Sequence, residues 1–492
     1  MSGAKKRAVI DVGSNTCRLV IYETAGGAML PFFNEKTMAG LGCGLPETGH
    51  LSPSGVDKAL ETFTRFRAIL SGLGIDDVQV VATAAVREAS DGRTFQARAE
   101  SVLGQSLLIL SGADEGHLSS LGVQSGLPGA TGLVADLGGT SLELKPLGQE
   151  QGQAQDNVGE TFLLGPLARA NDKALSLKRR RAITRDILSH SKLLPRKGSK
   201  LYAVGGAWRN VAAVHMSLND YPLGVIHGYG MGPKGLQQVI DAASRAETDT
   251  RLRTRLQAIA KRRYETLLHA ALVLENLLDL SKCKRLVFSA YGLREGVLAQ
   301  RLGQCAFEAQ AMLDAAALYL RLDDDSLNFG QALGRFLLPI TSGLKMAPDL
   351  CQLACLMADG GARLHPDHRS DLIFQQTLRA PLPGLSHSER VFVAAALAFR
   401  YTYKFELPRA LEPLLSASLL HEARILGTAM RLAGVYSGRS AALLGDVRLE
   451  ADGASLVLGV PTDRSNLISG TVRRRLRQLG DLLGCEVGIS PV

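Results

Sequence analysis

Aromatic side chains are scarce in this chain, which has one tryptophan and only 5% Phe, Tyr and Trp among its 492 residues. RNA-binding proteins stack bases on exposed aromatic rings, so we expect no nucleic-acid partner. No uninterrupted apolar stretch approaches the length of about 18 residues that a membrane-spanning helix needs. The apolar run after the basic segment 1–7 is too short for a signal peptide, so we also expect no membrane partner.

Cysteines are few and scattered: there are seven, and they form no motif. An odd number of dispersed cysteines is typical of free thiols in the cytoplasm, and we predict a cytoplasmic location. Cys351 and Cys355 are spaced to share one helix face, but no second ligand pair accompanies them. We therefore interpret them as buried helix thiols rather than a metal site.

Positive charge and glycine are abundant, with a net charge of +9 and 52 glycines. The charge is distributed along the chain and would attract nucleic acid, an anionic membrane or a phosphorylated molecule. With 46% apolar residues, the composition favours an α/β enzyme with many tight turns. The length exceeds what one hydrophobic core usually supports, so we expect two to four domains.

An internal repeat is the most informative feature. Segment 9–16, Val-Ile-Asp-Val-Gly-Ser-Asn-Thr, is echoed by segment 134–141, Val-Ala-Asp-Leu-Gly-Gly-Thr-Ser. Each segment runs from apolar residues through an Asp and a Gly-containing turn into a second alternating run, which predicts a β-hairpin. The long spacing between the copies indicates a duplicated domain rather than a solenoid.

Helical and strand patterns alternate after each hairpin, which favours α/β architecture. The predicted helices are 56–73, 182–194, 209–216 and 263–278, and the predicted strands are 78–82, 107–110, 201–204 and 285–289. From Ala309 onward Ala and Leu recur at helical spacing, with the clearest helices at 385–403 and 414–432. After these, strands 447–449, 456–460 and 486–489 accompany helix 466–483. We therefore predict four domains, at 1–125, 126–308, 309–440 (helical) and 441–492 (a small α+β cap).

The two Asp-x-Gly turns could hold phosphate, because backbone N–H groups and hydroxyls in such turns bind anions and a carboxylate beside them can bind a divalent cation. One turn alone is more often an ordinary hairpin turn, but two in matching places could grip a phosphate chain from both sides. A third candidate is the glycine pair that follows strand 201–204 and precedes a helix. The candidate phosphate-binding residues are Asp11, Gly13, Ser14, Asn15, Thr16, Gly138, Gly139, Thr140, Ser141, Gly205 and Gly206.

Glu115 and Arg87 are the candidate catalytic residues. Glu115 lies near a helix start, where a carboxylate is often only a favourable partner of the helix dipole. Its functional role would be to orient and deprotonate an attacking water. Arg87 follows strand 78–82, where a surface arginine is commonplace, but a guanidinium there would suit phosphate oxygens.

Six motifs in order resemble one family: 11–16, 82–87, 111–116 with Gly122-Val123, 136–143, Gly205-Gly206 and 289–296. Together they resemble the exopolyphosphatase/guanosine pentaphosphate phosphatase family, closely over about residues 7–300 and more loosely beyond. The resemblance implies the sugar kinase/actin fold: two duplicated ribonuclease-H-like domains, here 1–125 and 126–308, before the helical domain and the cap. It also implies an exopolyphosphatase that removes terminal phosphates from inorganic polyphosphate, with guanosine pentaphosphate as an alternative substrate.

Roles for individual residues follow from the resemblance alone. Glu115 matches the family's water-activating glutamate, and Arg87 would neutralise charge on the phosphate under attack. Asp136 and Glu143 match the carboxylates associated with the divalent cation, for which Mg²⁺ is the expected cofactor and K⁺ a further candidate. The resemblance also implies a homodimer.

The helical domain departs from the family pattern. Longer members carry a domain like that of His-Asp metal phosphohydrolases, but Ala358 stands before Asp359 at the expected histidine position. A second metal centre is therefore not expected, and His365, His368 and His421 are interpreted as structural or surface residues. Basic runs 178–181 and 261–263 are by default solvated faces, although they also suit a channel for a phosphate polymer.

Two functions of other classes stay open. An ATP-dependent kinase or actin-like ATPase would share the Gly-rich turns, but the placement of Glu115 favours attack by water and no acceptor-substrate motif is found. A non-catalytic sensor of phosphate polymers would not need Glu115, Asp136 and Glu143 together. ATP hydrolysis without polyphosphate hydrolysis would favour the first of these, and tight binding without turnover the second.

Overall fold

The computed structural model describes residues 4–148, 159–194, 200–303 and 309–492 of the chain. These residues divide into two units. The N-terminal unit comprises Lys5–Thr24 and Pro31–Glu308, and the C-terminal unit comprises Ala309–Val492 with the short segment Ala25–Leu30. Cys305 lies outside the described residues.

The first half of the N-terminal unit forms around a five-stranded sheet of order β3-β2-β1-β4-β5. Its strands are β1 (Lys5–Val12), β2 (Cys17–Ala25), β3 (Ala28–Thr37), β4 (Val78–Ala82) and β5 (Leu107–Ile109). Its helices are α1 (Leu45–Thr48), α2 (Pro53–Gly72), α3 (Ala84–Glu88), α4 (Gly92–Leu103) and α5 (Gly112–Gly126). Strand β1 pairs antiparallel with β2 and parallel with β4, which places the β1–β2 loop at the carboxyl edge of the parallel strands.

The second half repeats this arrangement in a six-stranded sheet of order β10-β11-β9-β6-β7-β8. Its strands are β6 (Gly132–Leu137), β7 (Leu142–Leu147), β8 (Glu160–Phe162), β9 (Lys200–Val204), β10 (Gly230–Met231) and β11 (Arg285–Phe288). Its helices are α6 (Leu177–Ser189), α7 (Gly206–Leu218), α8 (Pro233–Arg245), α9 (Thr250–Ala260), α10 (Tyr264–Ser281) and α11 (Leu293–Arg301). Strand β6 pairs antiparallel with β7 and parallel with β9, as β1 does with β2 and β4. The predicted duplicated α/β fold is therefore confirmed.

Helices α5 and α11 join the two halves through glycines. A Cβ atom on Gly122 would lie 2.1 Å from the Gly292 carbonyl oxygen, and one on Gly296 would lie 1.7 Å from the Leu118 carbonyl oxygen. Both distances are far below van der Waals contact with backbone atoms, which cannot move aside as a flexible side chain could. The helices can approach this closely only because both positions lack a side chain.

We expect Gly296→Ala to lower the free energy of unfolding by about 3 kcal/mol, at the upper end of ordinary overpacking costs, because the clash is with backbone. Thermal unfolding of the full chain measures the effect. The matched control is Gly470→Ala at the start of α19 (Gly470–Leu483), where an added Cβ meets nothing within 4 Å. Equal stability of the two variants would contradict the role of Gly296 in helix packing.

Most predicted elements lie within a few residues of the observed ones, and β4 agrees at both ends. The prediction of a helix at 182–194 was wrong at both boundaries, because α6 begins five residues earlier and ends at Ser189. The Ser176 hydroxyl accepts a hydrogen bond from the Arg179 N–H and caps α6, so the basic run lies inside the helix. In the N-terminal unit, strands β3, β8 and β10 and helices α1, α3, α4, α8, α9 and α11 were not predicted.

The C-terminal unit is mainly helical, as predicted. Its helices are α12 (Ala309–Leu320), α13 (Asp324–Thr341), α14 (Pro348–Leu356), α15 (Arg369–Arg379), α16 (His387–Tyr401), α17 (Ala417–Ser437), α18 (Ala441–Gly445) and α19. Strands β12 (Arg448–Ala451), β13 (Ser455–Val460) and β14 (Glu486–Pro491) form a separate sheet. No helix in the described part of the chain is long and apolar enough to cross a membrane.

Asp359, the residue after Ala358, is held by two arginines rather than exposed to a ligand. Arg400 Nη2 and Arg439 Nε each lie 2.7 Å from one of its carboxylate oxygens. His365, His368 and His421 are exposed, as interpreted from the sequence. Cys351 and Cys355 are buried on α14, where burial is the main cause that raises the pKa of the Cys351 thiol to about 11.

Candidate active site

The two predicted hairpin loops have the same internal hydrogen bond and meet each other. The Gly13 N–H donates to the Thr16 carbonyl oxygen at 2.9 Å, and the Gly138 N–H donates to the Ser141 carbonyl oxygen at the same distance. The Ser14 and Thr140 hydroxyl oxygens lie 2.9 Å apart and share a hydrogen bond. Gly139 favours the close approach, because a Cβ there would lie 3.0 Å from the Ser14 Cβ and Ser14 would have to move by a few tenths of an ångström.

A cavity of about 200 Å³ opens beside the paired loops. The glycine pair between β9 and α7 lines it, together with residues from both halves of the N-terminal unit. Gly205 has a φ of 112°, and a Cβ there would lie 2.5 Å from the Leu137 carbonyl oxygen. Only glycine fits this turn, which leads into the N-terminus of α7 beside the cavity.

Predicted residues that line the cavity are Asp11, Gly13, Ser14, Asn15, Thr16, Glu115, Asp136, Gly138, Gly139, Gly205 and Gly206. Four other predicted residues are not part of this lining: Arg87, Thr140, Ser141 and Glu143. The structure therefore brings the predicted phosphate-binding loops together. Arg87, however, contacts the candidate catalytic residue Glu115 and does not line the cavity.

Glu115 is 6% exposed and lies in the first turn of α5. The helix is fixed by a reciprocal cap, in which the Ser111 hydroxyl accepts from the Asp114 N–H and the Asp114 carboxylate accepts from the Ser111 N–H. Arg87 Nη1 donates to Glu115 Oε2 at 3.3 Å and to the Leu110 carbonyl oxygen at 3.0 Å. Burial first, and then the charge of Asp136, raise the pKa of Glu115 to about 8, while Arg87 opposes the shift.

Asp136 and Glu143 are directly opposite each other across β6 and β7, so both side chains project from the same face of the sheet. Ser119 Oγ donates to Asp136 Oδ2 at 2.5 Å. Glu143 is 1% exposed, and neither of its carboxylate oxygens has a hydrogen-bond partner among the described residues. Burial is the main cause that raises the pKa of both carboxyls, and Glu115 adds to the shift of Glu143.

These carboxylates fit a divalent cation. In the described part of the chain, no three His, Cys, Asp or Glu side chains form a complete ligand group. Mg²⁺ seldom needs one, because it usually keeps waters and binds one or two carboxylates together with substrate phosphates. Unpartnered oxygens on buried Glu143, beside a second carboxylate that faces the cavity, are the donors such an ion requires.

Asp11 occupies the position in the first hairpin that Asp136 occupies in the second, but it has a different partner. Arg294 Nη1 on α11 donates to Asp11 Oδ2 at 2.9 Å. The neighbouring Glu295 accepts a 2.6 Å hydrogen bond from the Tyr22 hydroxyl on β2. These contacts connect the two halves and neutralise Asp11, whereas Asp136 receives its hydrogen bond from an uncharged donor.

Six cationic side chains line the same cavity: Arg18, Lys36, Arg209, Arg262, Arg263 and Arg294. They come from β2, β3, α7, the turn before α10 and α11. Partial burial and then the charges of Arg263, Arg18, Arg209 and Arg294 lower the pKa of Lys36 to about 8. Burial and three neighbouring arginines lower the pKa of Arg209 to about 10.

Sequence reasoning did not assign this cationic set to the site. Run 261–263 was interpreted by default as a solvated face; Arg262 is indeed exposed and Arg263 is half-buried, and both line the cavity. Arg209 and Arg294 fell inside recognised motifs without a role, and Lys36 had no signal. One cue was available for Arg18: it is the register partner of Asp11, as Glu143 is of Asp136.

Comparison with known families matches both parts of the chain. A model of the Ppx/GppA phosphatase family matches residues 20–305. A model described as the C-terminal part of exopolyphosphatase matches residues 344–489. The two matches cover most of each unit, while β1 and the first hairpin loop precede the first match.

Solved structures show the same fold. A Ppx/GppA family member from Aquifex aeolicus is 21% identical and aligns with a TM-score of 0.53 over 61% of this chain and 98% of its own. An exopolyphosphatase from Cytophaga hutchinsonii is 22% identical, with a TM-score of 0.53 over the same shares of both chains. At these identities the likeness establishes the fold alone.

Proposed function

The chain belongs to the Ppx/GppA phosphatase family, and from this premise we propose that it is an exopolyphosphatase. As a member of a phosphatase family it is a hydrolase. The proposed substrate is inorganic polyphosphate, from which the enzyme removes the terminal phosphate as orthophosphate.

The observation that carries the proposal is the cationic set around the cavity. Six cationic side chains converge beside the two predicted phosphate-binding loops, and burial together with their mutual repulsion lowers the pKa of Lys36 and Arg209. Such crowding is unfavourable in the empty protein and is relieved by a ligand with several negative charges. A chain of phosphates supplies one charge or more per unit.

Guanosine pentaphosphate is the alternative substrate for the same site. Its phosphate groups would be held by the same loops, but its guanosine would need a surface to bind the base. The described lining of the cavity consists of glycine, small polar, aliphatic, acidic and cationic residues. This chemistry suits a continuous phosphate chain better than a nucleobase, so we favour polyphosphate.

The proposed reaction is direct attack by water on the terminal phosphorus. The Glu115 carboxylate accepts a proton from the water, a new P–O bond forms, and the bridging P–O bond breaks. The shortened chain leaves with the bridging oxygen as part of its new terminal phosphate. N–H groups of the Gly13 and Gly138 loops would stabilise charge on the phosphoryl oxygens, while Arg87 orients Glu115.

Asp136 and Glu143 would hold the divalent cation. When bound, such an ion supplies positive charge to the phosphoryl oxygens, which lowers the energy of the charged transition state. The remaining tasks fall to the chain itself. The loops position the terminal phosphate, and the cationic set holds the rest of the polymer.

The pKa of Glu115 gives the expected pH dependence. A general base must be deprotonated, and a pKa of about 8 means that this carboxyl gains most of its charge as the pH rises from about 7 to about 9. We therefore expect kcat to rise through this range. Lys36 loses its charge above about pH 8, so KM for polyphosphate should increase there. Initial rates at constant Mg²⁺ from pH 6 to 9.5 test both effects, and a flat kcat profile would contradict the role of Glu115.

Chain-end analysis tests the reaction type. Long-chain polyphosphate is incubated with the purified full chain and Mg²⁺, and ³¹P NMR follows orthophosphate, end groups and internal groups. An exopolyphosphatase produces orthophosphate from the first minutes while the number of chain ends stays nearly constant. Early growth of end groups without orthophosphate would show internal cleavage and refute the proposal.

A further inference from the structure

Glu115 and Ser119 lie one turn apart on α5, on the face that points toward Asp136. Ser119 is completely buried, and its hydroxyl donates to Asp136 Oδ2 at 2.5 Å. One rigid helix therefore carries the candidate general base and also contacts the carboxylate of the candidate cation site. Sequence reasoning gave Ser119 no role.

The two duplicated hairpins show what this hydroxyl contributes. In the first hairpin, Arg294 holds Asp11 and cancels its charge at a distance of 2.9 Å. In the second hairpin, Ser119 holds Asp136 through a neutral donor and leaves the negative charge in place. A carboxylate that is fixed by a neutral hydrogen bond is oriented yet still able to attract a cation, whereas a carboxylate paired with arginine is not.

We infer that Ser119 is a positioning residue that orients Asp136 for a divalent cation. This inference rests on the proposed function in one respect: it assumes that the cation binds at the phosphatase site. Loss of the hydroxyl would leave the free Asp136 carboxylate without its orienting hydrogen bond. Cation binding would then have to order the Asp136 side chain as well, so the affinity of the site for the cation would fall.

The test measures cation binding directly, with Mn²⁺ as the probe in isothermal titration of the full chain. We expect Ser119→Ala to weaken Mn²⁺ binding about 10–100-fold, the usual effect of removing a hydrogen bond to a metal ligand. Ser119→Cys keeps a weak donor of similar size and should have an intermediate affinity. The matched control is Ser120→Ala on the same helix: that hydroxyl is buried too, but it donates to the His117 carbonyl oxygen of its own helix.

Activity measurements at varied Mg²⁺ concentration distinguish a positioning role of Ser119 from general damage to the fold. At saturating Mg²⁺, kcat of Ser119→Ala should recover to within a few-fold of wild type, while the Mg²⁺ concentration for half activity rises. Equal Mn²⁺ affinity of Ser119→Ala and wild type, or equal losses in the Ser119→Ala and Ser120→Ala variants, would overturn the inference. Should Ser119→Ala fail to fold, the comparison rests on Ser119→Cys. Weakened Mn²⁺ binding in a protein that does not cleave polyphosphate would refute the proposed function and leave the inference standing.

Discussion

We expect Glu115→Gln to lower kcat for polyphosphate hydrolysis about 10³-fold or more while leaving KM within a few-fold of wild type. General-base catalysis is commonly worth about 10²–10⁴-fold, and Gln cannot accept the proton from water. The side chain is buried beside the cavity and has nearly the shape of Gln, so the substitution removes the carboxylate chemistry with little change in volume.

Glu88→Gln is the matched control for this prediction. The Glu88 carboxylate accepts from Nε of the same arginine, Arg87, at 2.9 Å, but its side chain is 54% exposed and does not line the cavity. Both variants therefore replace a charged partner of Arg87 with a neutral one, whereas only Glu115→Gln removes the buried carboxylate. Initial-rate kinetics decide the question, and residual activity of Glu115→Gln above about one tenth of wild type would show that another group activates water.

The second large effect is expected from Arg209→Met, which should make the protein more stable and weaken its binding of polyphosphate. Arg209 lines the cavity, and burial together with Arg294, Arg18 and Arg263 disfavours its charge. Removing the charge relieves this repulsion, so the midpoint of thermal unfolding without ligand should rise by about 2–4 °C. KM for polyphosphate should rise about 30-fold or more, because a buried charge that pairs with phosphate commonly contributes 2 kcal/mol or more to binding.

Arg98→Met is the control, since it removes the same charge from the exposed face of α4, away from the cavity. Scanning calorimetry with and without polyphosphate, together with initial rates, provides both readouts. Added polyphosphate should raise the unfolding midpoint of wild type more than that of Arg209→Met. If Arg209→Met is less stable than wild type and binds polyphosphate normally, the proposal that the cationic set binds the substrate is contradicted.

The two hairpin loops beside the cavity could be predicted from the sequence because each is a local pattern that occurs twice. Asp-x-Gly after an apolar run defines a hairpin from a few neighbouring residues, and the matching copies imply that the loops face each other. The position of Glu115 was also local, because Ser111 and Asp114 form a recognisable helix start. Each of these features depends on residues close together in the chain.

The cationic set could not be predicted because it is assembled from distant segments. Lys36 and Arg263 are more than 200 residues apart, and only the sheet order and the packing of α10 bring them to one cavity. The contacts of Asp11 with Arg294 and of Ser119 with Asp136 likewise depend on how α11 and α5 cross. The start of α6 was missed for a local reason. Ser176 caps the helix just before the charged run 178–181, which contains no apolar residue and so shows no apolar helical periodicity.

The most direct test of the proposed function compares substrates in one assay. The purified full chain is given long-chain polyphosphate, guanosine pentaphosphate and ATP with Mg²⁺, and kcat/KM for orthophosphate release is measured for each. We expect polyphosphate to be preferred by at least tenfold over both nucleotides, because it alone can occupy the loops and the whole cationic set. Faster cleavage of guanosine pentaphosphate than of polyphosphate would contradict the proposed substrate.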